Sequence, residues 1–517
     1  MVGDLASLGV VNESMSTRMR PPLTLLFNPM TFFLRIPFLT VGLIFSLLPS
    51  LAAERKMNVL VFFIDDLRPE LGCYGQDGMV SPHIDALASE GLLFERAYCQ
   101  QAICAPSRIS MLSGMYPDSS GIDDLWTPLR KVLPEAMSMP RYFKQRGYVT
   151  SSFGKVYHHQ RDDKAHWVEL LERPGAKYAS KEVLESIERR KKADQKEGLT
   201  PLQVSAASKG PAVENAEVDD DIYQDGAVSV QAIESLRRNK DKPFFMCVGF
   251  AKPHLPFSAP KRYWDLYQRE QFSVPQRDLP EGSPSIAFTQ WNELRGYQGI
   301  AKEGPLSDEL TRELKHGYAA CVSYSDAQVG RVMAELKRLG LRDNTIVVLW
   351  GDHGYKLGDH GLWCKHTNLE LDTRVPLIVS GPGLPKGKRS KALVEMVDVF
   401  PTLAKLTGGD VPESCDGKSL EPVLKNPEHG FRDFALSRYP RGSVIGYSMR
   451  TDRWRYTEWI KSAPGEIVYR ELFDHLESQL APRNLAGDSD QAERVLIFSK
   501  QLNSRERIES SKVRATK

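Results

Sequence analysis

The sequence predicts an α/β fold: a large, mostly parallel central sheet flanked by helices, with a smaller C-terminal subdomain containing an antiparallel sheet. Three observations predict it. Continuous apolar runs, such as Asn58–Ile64, end in charged residues, here Asp65-Asp66. Such runs suit strands buried on both faces. Between them lie stretches of helical periodicity, such as His316–Leu339 with Gly340 as its stop. After about residue 425 come Tyr447–Arg450, Trp454–Thr457 and Glu471–Asp474, which read as short strands of a small antiparallel unit.

The elements follow in order. Arg18, Arg20 and Arg35 precede the apolar run Ile36–Leu51, and Ser50-Leu51-Ala52-Ala53 closes it with small residues. Basic, apolar, small is the order of a secretory signal. The run is shorter than the ~20 apolar residues of a membrane span. Residues 1–54 are therefore predicted to be a signal peptide and leader, cleaved on export to the periplasm or medium, with no stable membrane span. Met15 or Met19 is an alternative start. The first strand, Asn58–Ile64, is followed by a helix that Ser81-Pro82 opens and Gly91 closes. A second helix is predicted over Pro106–Ser113, with Pro106 at its first position.

Residues 160–218, rich in Lys, Glu, Ala and Ser, read as an exposed insertion with helical stretches. Phe244–Phe250 is a buried strand that delivers Lys252-Pro253-His254. Residues 268–308 read as a long loop of the kind that shapes a binding cleft. Thr345–Trp350 delivers Gly351-Asp352-His353-Gly354, and Leu377–Ser380 is a further strand of the same kind. The last dozen residues are polar and read as a frayed end.

Composition narrows the function. With 68 Lys and Arg against 66 Asp and Glu, the net charge is +2, which argues against a nucleic-acid partner. Attraction for an anion must come from a local site. The seven cysteines form no CxxC pair that would suggest zinc. Cys247 sits in an apolar strand and reads as a buried free thiol.

Chemistry concentrates after the predicted strands, where open α/β sheets bind ligands. Asp65, Asp66 and Asp352 offer hard oxygens suited to Ca²⁺ or Mg²⁺. Cys104 lies at the start of a predicted helix, where free N–H groups favour an anion, and Arg108 lies one turn on. Lys155, His158, Lys252, His254 and Lys365 each follow a core element closely.

These motifs together resemble the type I, formylglycine-dependent sulfatases of the alkaline-phosphatase-like superfamily. The resemblance rests on Asp65-Asp66-Leu67-Arg68-Pro69, Cys104-Ala105-Pro106-Ser107-Arg108, Gly154-Lys155-Val156-Tyr157-His158, Lys252-Pro253-His254 and Gly351-Asp352-His353-Gly354. Arg438-Tyr439-Pro440-Arg441 and Gly446–Thr451 extend it to the branch that acts on iduronate 2-sulfate. It implies a catalytic domain over 55–425 and a subdomain over 426–517 that closes the substrate cleft.

The resemblance also implies roles. Cys104 becomes formylglycine (3-oxoalanine) through a formylglycine-generating maturation enzyme. Its hydrate offers one hydroxyl to attack sulfur and a second to expel sulfate. Asp65, Asp66, Asp352, His353 and the converted residue 104 hold Ca²⁺, ahead of Mg²⁺. Arg108 steadies the hydrate, Lys155, Lys365 and His254 bind sulfate, and His158 contacts the hydrate. His254 is the candidate general acid and His158 the candidate base. Lys252, Asp123, Arg438 and Arg441 are the candidate substrate contacts, the arginines as partners for a uronate carboxylate.

The implied function is a sulfuric ester hydrolase that acts on a sulfated oligosaccharide or polysaccharide, animal glycosaminoglycan or algal polymer, at the 2-O-sulfate of a uronic acid. Two alternatives stand beside it: a phosphonate or phosphate monoester hydrolase of the same superfamily, and a glycan-binding protein with an unmodified Cys104.

Overall fold

Seven consecutive buried residues, Asn58–Ile64, form β1 near the middle of an eight-stranded sheet. Alternate side chains serve opposite faces, as a strand's period of two requires. Leu60, Phe62 and Ile64 enter one core, while Val59, Val61 and Phe63 enter the other. Each such side chain contributes roughly 1.5–3 kcal/mol by leaving water. A computed structural model describes residues 56–515 apart from 160–161, 172–173, 197–208, 290–292, 464 and 477. The predicted signal peptide and leader, residues 1–54, therefore lie outside the described residues. Among the described residues no helix is long and apolar enough to cross a membrane.

The other strands of this sheet are β2 (Leu92–Tyr98), β3 (Val149–Gly154), β4 (Glu169–Leu171), β5 (Phe244–Phe250), β6 (Thr345–Gly351), β7 (Arg374–Ser380) and β8 (Lys388–Glu395). Their order is β8-β2-β7-β6-β1-β5-β3-β4. Neighbours run parallel except at β7, which is antiparallel to both β2 and β6. Leu377–Ser380 is thus a strand, but not a parallel one. The reason lies in its connection from β6, which holds only the short pair Lys356–Leu357 and Trp363–Cys364, a 3₁₀ turn at Asp359–Gly361 and one turn of helix, Glu370–Thr373. A parallel return needs a full crossover, usually a helix. β2 escapes sequence reading because Glu95 and Arg96 interrupt its apolar run.

Three helices matter for the site: α1 (Pro82–Ser89), α2 (Cys104–Ser113) and α3 (Asp308–Arg338). α1 and α3 cover one face of the sheet through Ile84, Leu87, Leu314 and Val329, and α2 covers the other through Ile109 and Leu112. α3 begins earlier than its periodicity suggests, because the Ser307 hydroxyl accepts from the Leu310 N–H at 3.2 Å and caps it.

The small sheet holds four antiparallel strands in sequence order: β9 (Ala435–Arg441), β10 (Val444–Arg450), β11 (Trp454–Lys461) and β12 (Ile467–Asp474). A last helix, α4 (Ala492–Ala515), covers it with Phe498 and Leu502. Of the polar tail, residues 506–515 continue this helix. Buried Glu370 ties the small sheet to the large one, accepting from Arg450 Nε at 2.8 Å, Arg455 Nη2 at 2.7 Å and the Tyr98 hydroxyl at 3.0 Å.

Candidate active site

The parallel strands end on one edge, and the segments leaving that edge converge. Asp65-Asp66 leave β1, Asp352-His353 leave β6, Lys155 leaves β3, and Lys252–Pro256 leave β5. Two glycines let β3 and β5 close up at this edge. Gly154, with φ of 72°, faces the Gly249 carbonyl, and Gly249 faces the Lys155 backbone. A Cβ at either position would collide. This packing sets the Lys155 ammonium against the Asp65 carboxylate.

Cys104 is the first residue of α2, with Ile103 as its N-cap. The helix thus starts two residues before the predicted Pro106, which occupies the first turn, where its missing N–H is not needed. The Cys104 thiol is buried, with Sγ 3.6 Å from Asp65 Oδ1, 3.3 Å from His353 Nε2 and 3.6 Å from Lys155 Nζ. The convergence expected from the sequence is present. Arg108 differs in detail: its fully buried guanidinium donates through Nε to Asp352 Oδ2 at 2.8 Å and through Nη2 to Asp65 Oδ1 at 3.1 Å. It clamps the carboxylates, a bridging geometry that suits the guanidinium fork.

Lys365 lies between two residues with left-handed backbone, Cys364 (φ 65°) and His366 (φ 82°), and Asp66 itself has φ of 60°. Non-glycine residues in that region each cost on the order of 1–3 kcal/mol and cluster at functional sites. The local kink aims the Lys365 ammonium at both oxygens of Asp66, 2.9 and 3.0 Å away.

Charge shapes the protonation states. Burial pushes the Asp65 carboxyl up, but Lys155, His254, Arg108 and Lys365 outweigh it and hold it well below the usual range. Burial raises Asp352, and Arg108 only partly offsets this. Burial disfavours the imidazolium of His353, yet Asp352, Cys104 and Asp66 draw it up to about 10. Its Nδ1 donates to the Gly354 carbonyl at 3.0 Å, which turns Nε2 toward the carboxylates. Burial and then Lys155 push His158 down to about 2, so it is neutral near pH 7.

These groups fit a hard divalent cation. One ligand atom from each of Asp65, Cys104, Asp352 and His353 lies within 4.8 Å of the others, and so do atoms of Asp65, Asp66 and His254. Carboxylate oxygens are the donors that Ca²⁺ and Mg²⁺ prefer.

A cavity of about 430 Å³ opens onto Cys104. His158, His254 and Lys365, all singled out in the sequence, line it. His254 Nδ1 donates to the Leu255 carbonyl at 2.7 Å, which leaves Nε2 facing Glu293 Oε1 at 3.2 Å and Asp66 Oδ2 at 3.9 Å. Sequence reasoning missed Glu293, Lys209 and His366, which also line the cavity. Glu293 comes from the 268–308 loop, whose length was the one signal pointing to it.

The candidate substrate contacts fare differently. Lys252 is buried and turned inward, where its ammonium donates to the carbonyls of His254, at 3.2 Å, and Pro256. Its charge serves the turn, not the cavity. Arg438 is 6% exposed and already paired with Asp118 and, at 2.7 Å, with Asp123. The two expected contacts Arg438 and Asp123 therefore satisfy each other. Arg441 stacks on Tyr439 with 4.3 Å from guanidinium to ring centre, and its hydrogen bonds go to the carbonyls of Ile286, Pro440 and His366. With Phe288 and Thr289 it lines a second cavity of about 460 Å³ that shares His366 with the first.

A family model described as Sulfatase matches residues 57–409, and one described as N-sulphoglucosamine sulphohydrolase, C-terminal, matches 358–507. Iduronate 2-sulfatase of Homo sapiens is 35% identical over 489 residues, covering 80% of this chain and 86% of that protein. A sulfatase of Formosa agariphila is 28% identical over 470 residues, covering 84% and 88%. Among solved structures, the phosphonate monoester hydrolase of Silicibacter pomeroyi matches with a TM-score of 0.70 at 23% identity, covering 87% of this chain and 96% of that one. BT4656 in complex with D-glucosamine-2-N,6-O-disulfate matches with a TM-score of 0.68 at 22% identity, covering 88% and 99%. Similarity at these identities carries the fold.

Proposed function

The chain belongs to the sulfatase family, and from that premise we propose that it removes the 2-O-sulfate of a uronic acid in a sulfated carbohydrate, through a formylglycine hydrate made from Cys104. The observation that carries this reading is the meeting of Cys104 Sγ with Asp65 Oδ1 at 3.6 Å and His353 Nε2 at 3.3 Å, on the floor of a cavity walled by Lys365, His254 and His158. The similarity to human iduronate 2-sulfatase supports the sugar, and that to an ulvan-active sulfatase of Formosa agariphila, at 28% identity, supports a carbohydrate substrate.

Asp65, Asp66, Asp352 and His353, with an oxygen at position 104, would hold the cation, Ca²⁺ by resemblance to the family, since hard oxygens suit Ca²⁺ and Mg²⁺ alike. Bound there, a divalent ion screens the sulfate charge and makes a nearby hydroxyl more acidic. Once converted, residue 104 would supply, as its hydrate, the attacking oxygen and a second hydroxyl to release sulfate. The protein's side chains do the rest. Arg108 holds Asp65 and Asp352 in register. Lys155 and Lys365 neutralise sulfate oxygens as charge shifts toward them. His254 protonates the departing sugar oxygen from Nε2, since its Nδ1 is committed to the Leu255 carbonyl. His158, uncharged near pH 7, contacts the hydrate at the cavity wall, where burial and Lys155 make it a poor proton acceptor. Arg441 faces the neighbouring cavity, its hydrogen bonds among the described residues go to carbonyls, and it receives the uronate carboxylate. Residues 1–54 direct export, and a maturation enzyme converts Cys104.

The test is sulfate release from defined uronate-2-sulfated oligosaccharides, with conversion of residue 104 verified by peptide mass spectrometry. Release from that panel is expected. Verified, converted enzyme that releases sulfate only from other positions would sink the 2-O-uronate reading.

A further inference from the structure

Glu293 is an anion in a pocket built for anions. Its carboxylate lines the cavity above Cys104, with Oε2 3.3 Å from Lys365 Nζ and Oε1 3.2 Å from His254 Nε2. Its side chain is 15% exposed. It belongs to neither group of metal-ligating side chains.

A buried carboxylate is costly to desolvate. A pocket that needed only attraction would leave Lys365 and His254 free to face the substrate. Glu293 instead removes one unit of positive charge from the two groups that reach toward the ester. The consequence depends on the ester. A sulfate monoester carries a single negative charge. A phosphate monoester carries about −1.5 to −2 near pH 7, with its second ionisation near 6. A fixed carboxylate a few ångströms away repels the doubly charged ester more strongly, and repulsion is an effective way to reject a near-isosteric competitor.

We propose that Glu293 is a specificity-determining residue that tunes the pocket to monoanionic esters and rejects dianionic ones. This rests on reading the cavity as the sulfate pocket. It goes beyond that reading because it gives the choice between sulfate and phosphate to a carboxylate outside the metal-ligand set and the sulfate-binding cations. A competing role, holding His254 in place, would lower turnover of both esters alike.

The experiment compares wild-type, Glu293→Gln and Glu293→Asp enzyme, each with residue 104 verified as converted, on 4-nitrophenyl sulfate and 4-nitrophenyl phosphate at pH 8. The readout is the ratio of kcat/KM for phosphate over sulfate. Glu293→Gln is expected to raise it about tenfold or more, and Glu293→Asp, which keeps the charge, to leave it near the wild-type value. The same shift is expected in the dissociation constants of phenyl phosphate and phenyl sulfate for the full-length Cys104→Ala chain, measured by calorimetry. A ratio that Glu293→Gln leaves unmoved, or equal losses on both esters, overturns the inference. Converted wild-type enzyme that cleaves neither ester overturns the pocket reading and this inference together, whereas a cleaving enzyme with an unmoved ratio overturns this inference alone.

Discussion

At the scale of single residues, the same side chain does opposite things in different settings. Lys252 and Lys365 look alike in the sequence, each a lysine near a histidine soon after a core strand. Lys365 sits between two left-handed residues and points at Asp66, while Lys252 satisfies carbonyls of its own turn. Lys365→Ala is therefore expected to lower kcat/KM for an aryl sulfate by about 10²–10³, the usual cost of one donor lost from a charge-stabilising site. Steady-state kinetics on verified, converted enzyme would show it. Cys104→Ser is expected to lose multiple turnover and to carry one sulfuryl group after exposure to substrate, because serine offers a hydroxyl to attack but no second one to expel sulfate. Intact-mass measurement reads both the adduct and its absence. Asp65, Asp66, Asp352 and His353 were legible because each directly follows a long buried strand. Glu293 was not, since a loop carries no periodicity to say which of its polar residues turns inward.

At the scale of elements, helices support one another through buried carboxylates. Asp326 of α3 accepts from the His83 N–H at 3.2 Å and the Ile84 N–H at 2.7 Å, so one helix caps the first turn of α1. Burial pushes the Asp326 carboxyl up to about 7. The folded chain then keeps a proton that the unfolded chain loses near pH 4. Between about 4 and 7 this group makes stability fall as pH rises, and above about 7 its contribution is level. Asp326→Asn is expected to lose that fall, so the gap between variant and wild type shifts in the variant's favour from pH 5 to pH 8. Urea denaturation at the two pH values checks the sign. Strand identity was legible wherever the apolar run was unbroken. The direction of β7 was not, because it depends on the absence of a crossover helix, which is a property of the connection and not of the strand.

At the scale of the whole molecule, charge pairs join what the chain keeps apart. Glu370 meets Arg450 and Arg455 from the small sheet, and these arginines hold its carboxyl well below the usual range in spite of burial. Glu370→Ala would leave two buried guanidinium groups without it, at a cost of about 3–5 kcal/mol. A lower urea midpoint is the expected outcome. Divalent-ion removal acts at the same scale. EDTA is expected to abolish turnover and lower the melting temperature, with added Ca²⁺ or Mg²⁺ restoring both, because an ion held by Asp65, Asp66, Asp352 and His353 would bind the folded state alone. Scanning calorimetry with and without chelator checks it.

The amino-acid sequence by itself determined where the strands with unbroken apolar runs lie and which charged residues follow them, because such a run and its boundary are local and need no partner to be recognised. Only the tertiary structure decided which of those charges face one cavity, which neutralise each other, and that Glu293 joins them. Those outcomes depend on backbone turns and on contacts between segments hundreds of residues apart, such as Asp66 with Lys365, and local sequence carries no record of such distances.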